Sequence, residues 1–176
     1  MIDQYLKPNV KRGAMYFAII ATIAGVIGRI PVLVCLALPV LCAIWLVLPF
    51  ATGWLTAQWG RTMAATATPL AVQSSSPYAT PAVDGAVAAG VGALVANAIV
   101  WVVGLLFDVA FAGFAAATGN DATGSALGLA ASGIGGFFGI FIGAIVAAIA
   151  GAIGGAIYVI YTQSRATPAA PPPAKL

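Results

Sequence analysis

Four long apolar runs, each closed by polar or turn-forming residues, set the organisation of this chain. They read from about Ala14 to Gly28, Val32 to Ala51, Asp84 to Ala117 and Gly133 to Tyr161. A bilayer core about 30 Å thick takes roughly 20 helical residues, so each run predicts a membrane span. Between the first two, Arg29 and Pro31 predict a reversal, because the residue before proline avoids helical geometry and arginine is costly in hydrocarbon. Pro39 and Pro49 remove backbone donors inside the second run and predict a kink. Trp54 and Trp59 follow where an interfacial belt is expected, just before Arg61. From Gly60 to Val83 the apolar density falls among Pro69, Pro77 and Pro81, which predicts a linker with irregular backbone. Asp84 is expected to cap the third helix at its N-terminus, where the helix dipole favours a carboxylate. Gly119, Asn120, Asp121 and Gly124 predict a turn before the last span.

The fourth run carries a second pattern. Ala131, Gly135, Gly139, Gly143, Ala147, Gly151 and Gly155 place a small residue at every fourth position, while Phe137, Phe141, Ile145, Ile149, Ile153 and Ile157 form a bulky row about 200° away. Small residues at that spacing let membrane helices approach closely, so the row predicts a glycine-zipper packing face, with closest approach at Gly139 and Gly143 and a crossing near −40°. A related row runs through Ala88, Gly92 and Ala96 and resumes at Gly104, Ala112 and Ala116. The expected fold is all-α and integral to the membrane: a four-transmembrane-helix bundle with a glycine-zipper last helix. Its segments are an N-terminal stretch (1–12), a hairpin of spans one and two (13–59), the Pro/Ser/Thr linker (60–83), a hairpin of spans three and four (84–162) and a proline-rich tail (163–176).

Composition agrees with this outline. Hydrophobic residues make up 62% of the chain and charged residues 6%, against about 25% charged in soluble domains. The net charge of +3 rests on seven basic and four acidic residues, so scarcity of charge rather than a basic patch sets it, and nucleic acid is not implied. Basic residues instead report orientation. With both termini cytoplasmic, Lys7, Lys11, Arg12, Arg61, Arg165 and Lys175 fall inside and Arg29 alone outside, which predicts a multi-pass protein of the plasma (inner) membrane.

Candidate chemistry is sparse. Without His or Glu, the general bases and metal ligands reduce to four Asp, two Cys and three Lys, so no catalytic residue, metal site or cofactor is expected. Cys35 and Cys42 lie seven apart on one helix face, about 10 Å from each other and too far to bridge, and read as buried apolar thiols. One intramembrane polar pattern remains: Asn97, Gly104 and Asp108 fall within about 40° on a helical wheel. Arg29 is expected to approach Asp108 or Asp121, the carboxylates on its side of the membrane.

Cys35 in an apolar hairpin, Gly53 at its end, a polar linker, Asp84-Gly85-Ala86 opening a small-residue helix and a terminal glycine zipper form an ordered series. In this the chain resembles small Gly/Ala-rich multi-span bacterial membrane proteins of unknown function, a resemblance that implies a fold type and no activity. The expected role is a non-enzymatic accessory or assembly subunit of a larger membrane complex, with membrane lipids and other membrane subunits as partners. The alternative is a small oligomeric channel or transporter with Asp108 and Asn97 near a polar pathway. A third option is a lipid or carotenoid contact along Phe137, Phe138 and Phe141.

Overall fold

A computed structural model describes residues 7–66, 78–118 and 122–165, apart from the side chains of 31–32, 34–36, 64–66 and 122–126. It contains four helices and, among the described residues, no strand: α1 (Pro8–Ile27), α2 (Pro31–Thr66), α3 (Ala79–Ala117) and α4 (Ala122–Ser164). All four are long and apolar enough to cross a membrane. The chain is thus an all-α protein built as a multi-pass membrane bundle.

Each helix begins earlier or runs further than the apolar runs alone suggest. Pro8 takes the first position of α1, where its fixed φ suits a helix and its missing N–H would have lacked a partner anyway. That start brings Asn9, Lys11 and Arg12 into the helix and makes it 20 residues, a full span, where the apolar run from Ala14 is short. The reversal falls where Arg29 and Pro31 place it, with Arg29 N–H donating to Val26 O at 3.0 Å and Pro31 opening α2. Both Pro39 and Pro49 lie inside α2, which continues through them as one helix of 36 residues. Within the expected linker, α2 continues to Thr66 and α3 starts at Ala79, so only 67–77 lies outside the described residues. Asp84 therefore sits in the second turn of α3, not at its cap, which is Tyr78. Residues 1–6, the 119–121 part of the turn, with Asp121, and the tail from 166 also lie outside the described residues.

α1 and α3 run parallel, with Lys7 level with Asp84 and Gly25 against Val100, while α4 returns antiparallel to α3. The core is made almost wholly of alanine: Ala21, Ala89, Ala93, Ala96, Ala144 and Ala147 surround Phe17, and Leu48 closes one side. Where helices share no hydrophobic driving force against lipid, packing and close backbone approach hold them, and small side chains permit that approach. It is tightest where three glycines meet. A Cβ on Gly53 of α2 would strike the Gly151 carbonyl, one on Gly85 of α3 the same carbonyl and, at 3.1 Å, the Gly53 Cα, and one on Gly151 of α4 would lie 2.6 Å from Ala89 Cβ. This node makes α2 and α3 the short diagonal of the bundle, while α1 and α4 share no backbone contact among the described residues.

The zipper row does not pack as a row. Nothing lies within 4 Å of a Cβ placed at Gly135 or Gly139, whereas Gly143, Ala147, Gly151 and Gly155 all meet neighbours. Four residues advance about 400° around a helix, so each step of such a row drifts about 40°. From Gly135 to Gly155 the drift reaches about 200°, and a straight neighbour faces only part of it. The stripe that packs has the helix's own period, through Gly136, Ile140, Ala144, Ala147, Gly151 and Gly154. Closest approach thus falls at Gly151, not at Gly139 and Gly143. The bulky row from Phe137 to Ile157 is exposed along the outside of the bundle. Cys42 is also exposed there rather than buried, and the Cys35 side chain lies outside those described.

Candidate functional site

Two polar groupings lie at opposite ends of α3. Asp84 and Asp108 are 24 positions apart, about 36 Å of helix, so they bracket a hydrocarbon core of about 30 Å.

At the first end, Asp84 is buried and bound from α1 on two sides. Lys7 Nζ lies 3.0 Å from Oδ1 and 3.2 Å from Oδ2, and Asn9 Nδ2 donates to Oδ2 at 3.2 Å and to the Thr56 carbonyl at 3.3 Å. One carboxylate thereby ties α1 to α3, and Asn9 extends the tie to α2. A carboxylate taken out of water needs this satisfaction, since an unpaired buried charge is strongly unfavourable. The Thr56 hydroxyl beside it is fully buried against Gly13, without a hydrogen-bond partner among the described residues. Reading Lys7 as a topology marker and Asp84 as a cap missed this cluster. The available signal was Asn9, a polar residue with no reason to sit one turn before an apolar face unless it has a partner.

Around this cluster stands an aromatic belt. Trp54 packs on Tyr158 and Tyr161 with ring centroids 5.2 Å apart in each case, and Tyr16 on Trp59 at 5.6 Å. Arg61 stacks on Tyr158 and Arg165 on Tyr161, 5.3 and 4.5 Å from the ring centroids.

Midway along α3, Asn97 lies against α4. Its Nδ2 sits 2.6 Å from where a Gly143 Cβ would be, so the glycine at 143 leaves room for an amide. The amide is half-buried and makes no hydrogen bond within the described residues. One flank of the same hairpin carries an apolar groove of about 430 Å³ between α3 and α4, lined by Gly90, Leu94, Phe141, Ala144 and Ala148 among others.

At the far end, Arg29 lays its guanidinium on Gly104, with Cζ 2.5 Å from the position a Cβ would occupy. Asp108 is one turn further on, but the ion pair found among the described residues is Lys7–Asp84, and Arg29 and Asp108 form none within 4.0 Å. Asp108 instead lines an open cleft of about 520 Å³ with Phe111, Phe114, Thr118, Leu129 and Ser132. Asn97 and Asp108 are 11 positions apart, about 17 Å, and face different surroundings. Beyond Arg29, among the described residues, α3 and α4 continue with no other helix beside them. No α3 residue after Gly104 is buried, nor any described α4 residue before Ile140. Trp101 holds the two helices together at the start of this stretch, its indole N–H donating to Gly133 O at 3.1 Å while the ring covers Gly136. Past it, Leu106, Phe114, Leu127 and Ile134 are each about two-thirds exposed. Phe137, Phe138 and Phe141 form an exposed ladder with centroids 5.4 to 5.9 Å apart.

No group of three or more His, Cys, Asp or Glu that could hold a metal occurs among the described residues. No family model, curated protein or solved structure matches the chain.

Proposed function

We propose that this chain is an accessory or assembly subunit of a larger membrane complex, and that the uncovered part of its α3–α4 hairpin is the surface that meets a partner subunit. One observation carries the reading: α1 and α2 cover α3 only as far as Gly104, while α3 continues for 13 further positions and α4 returns alongside it, both with large apolar side chains exposed. Thirteen residues extend about 20 Å. Lipid tails satisfy exposed apolar side chains as well as a partner does, so it is the length of hairpin without α1 or α2 beside it, not its apolarity, that offers room to a partner helix. The open row at Gly135 and Gly139 supports it, since small residues on an uncovered face suit the close approach of a second helix. Asn97 adds a polar handle at mid-depth, where a helix-borne carboxamide that makes no hydrogen bond among the described residues favours a partner from a neighbouring chain.

A core of alanines around Phe17 packs solid in one copy, so the channel reading requires several copies of the chain. In the subunit reading the protein is non-enzymatic, spans the plasma (inner) membrane and keeps both termini in the cytoplasm. The concentration of Lys7, Lys11, Arg12, Arg61 and Arg165 at one end supports that orientation.

Photo-crosslinking amino acids at Phe114 and Leu127, with Ile23 on α1 as a control of similar exposure, test the reading in intact membranes. Protein adducts at 114 and 127 and lipid adducts alone at 23 are expected. Adducts to lipid alone at all three positions overturn it.

A further inference from the structure

The end of the bundle opposite the bare hairpin carries a charge excess that the fold does not use. Five of the described cations, Lys7, Lys11, Arg12, Arg61 and Arg165, gather there with one described carboxylate, Asp84, which Lys7 and Asn9 already hold. Arg61 and Arg165 are exposed and make no ion pair among the described residues. Neither hangs free, however: each guanidinium is stacked on a tyrosine, and both tyrosines pack on the one indole of Trp54. Tyrosine and tryptophan collect at the headgroup level of a bilayer. Arg61 lies seven residues beyond Trp54, and Arg165 four beyond Tyr161, so both guanidiniums stand at or just outside that level. A planar guanidinium fork pairs two donors with two phosphate oxygens, and stacking fixes its plane beforehand, so less freedom is lost on binding.

We infer that Arg61 and Arg165, held on Tyr158 and Tyr161, form a docking surface for the phosphate headgroups of anionic lipids. The charge complementarity selects the occupant. A zwitterionic headgroup brings its own cation to the phosphate, while an anionic one brings net negative charge to a rim that has no free carboxylate among the described residues. Lys11 and Arg12 are exposed on the neighbouring α1 without aromatic stacking among the described residues. They add to the field but lack the fixed geometry.

Native mass spectrometry of the full chain in mild detergent, titrated with phosphatidylglycerol or phosphatidylcholine, tests this. Phosphatidylglycerol should bind more tightly to the unaltered protein. A near-surface arginine is worth about fivefold in such binding, so Arg61→Gln with Arg165→Gln should weaken phosphatidylglycerol on the order of 30-fold and leave phosphatidylcholine unchanged. Lys11→Gln with Arg12→Gln removes the same charge without touching the stacked pair and should weaken it clearly less than the Arg61 and Arg165 variant does. Millimolar inorganic phosphate should not compete. Equal affinity for the two lipids, equal loss in the two double variants, or displacement by free phosphate each overturns the assignment. If the glutamine pair does not purify, Arg61→Lys with Arg165→Lys decides. Lost lipid selectivity supports the stacked fork, and unchanged selectivity overturns it.

Discussion

The two halves of α4 contain the same kind of sequence and do opposite things. From Gly143 to Gly155 the small residues are filled by neighbours: Asn97, Ala89, the Gly85 carbonyl, the Phe50 carbonyl and the Pro81 carbonyl all lie where side chains would be. From Ala131 to Gly139 the same four-residue row faces open space. A glycine in a membrane helix is thus not evidence of a contact. What distinguishes the halves is the direction the row faces: α1 still reaches the level of Gly139, but the drift of the row turns Gly135 and Gly139 away from every neighbour, while Gly136 beside them is covered by Trp101.

The strongest way to break the comparison is to enlarge one glycine in each half. Gly151→Val drives two methyl groups into the Gly85 backbone and Ala89, where neither neighbour is a flexible side-chain end. Overpacking typically costs about 1 to 3 kcal/mol, and the upper end is expected here because a backbone must move. Gly135→Val enters open space and should change stability by about 0.5 kcal/mol or less. Thermal unfolding in detergent measures both. Equal midpoints for the two variants would mean that the glycine node is not the tight point of the bundle.

Next in size is the tie at the packed end. Lys7→Met leaves the Asp84 carboxylate with Asn9 alone, on a side chain only 10% exposed. Leaving a buried polar group under-satisfied costs about 1 to 3 kcal/mol. Since the Lys7 side chain is itself 43% exposed, water replaces part of what is lost and the lower half of that range is expected. Adding Asp84→Asn removes the charge that needed the lysine, so the double variant should regain most of the loss. A double-mutant cycle on unfolding midpoints reads the coupling, and additive effects would show that the pair contributes nothing.

A smaller effect belongs to the far end. Trp101→Phe keeps an aromatic over Gly136 but removes the N–H that reaches Gly133 O. One such hydrogen bond contributes about 0.5 to 1.5 kcal/mol. Because that end has few other contacts, the loss should appear mainly as faster amide exchange in 122–136, with a small change in midpoint.

Hydrophobic runs and prolines were enough to read four helices, the reversal at Arg29 and Pro31, and an exposed bulky row on α4. They misplaced the start of α1 because Lys11 and Arg12 look like a polar flank, although a helix end carries such side chains outward without strain. They misplaced Asp84 because an acidic residue before an apolar run has the outline of a cap, and only the chain reversal that brings Asn9 and Lys7 alongside shows its other use. The four-residue glycine row misled for a geometric reason, since a period of four and a helix of 3.6 residues per turn part company within about two turns. Local pattern reports which face is small. It does not report how far along the helix another chain segment extends.

The last and smallest effect sharpens the comparison through a partner rather than through the fold. Gly139→Ala adds a methyl group where nothing lies within 4 Å. In a soluble helix that exchange is worth about 0.5 to 1 kcal/mol in favour of alanine. In lipid the separated helix stays helical, because its backbone has no other partner, so the gain should shrink to a few tenths of a kcal/mol. The isolated chain should therefore unfold at an unchanged or slightly higher temperature. If the open half of α4 receives a partner helix, the same methyl group stands where two backbones approach, and recovery of the co-purified partner in mild detergent should fall. Gly139→Leu should deepen that loss while leaving the isolated chain nearly as stable as before. A variant that loses stability on its own would place a neighbour against Gly139 within this chain. One that retains both stability and partners would leave the bare hairpin facing lipid alone.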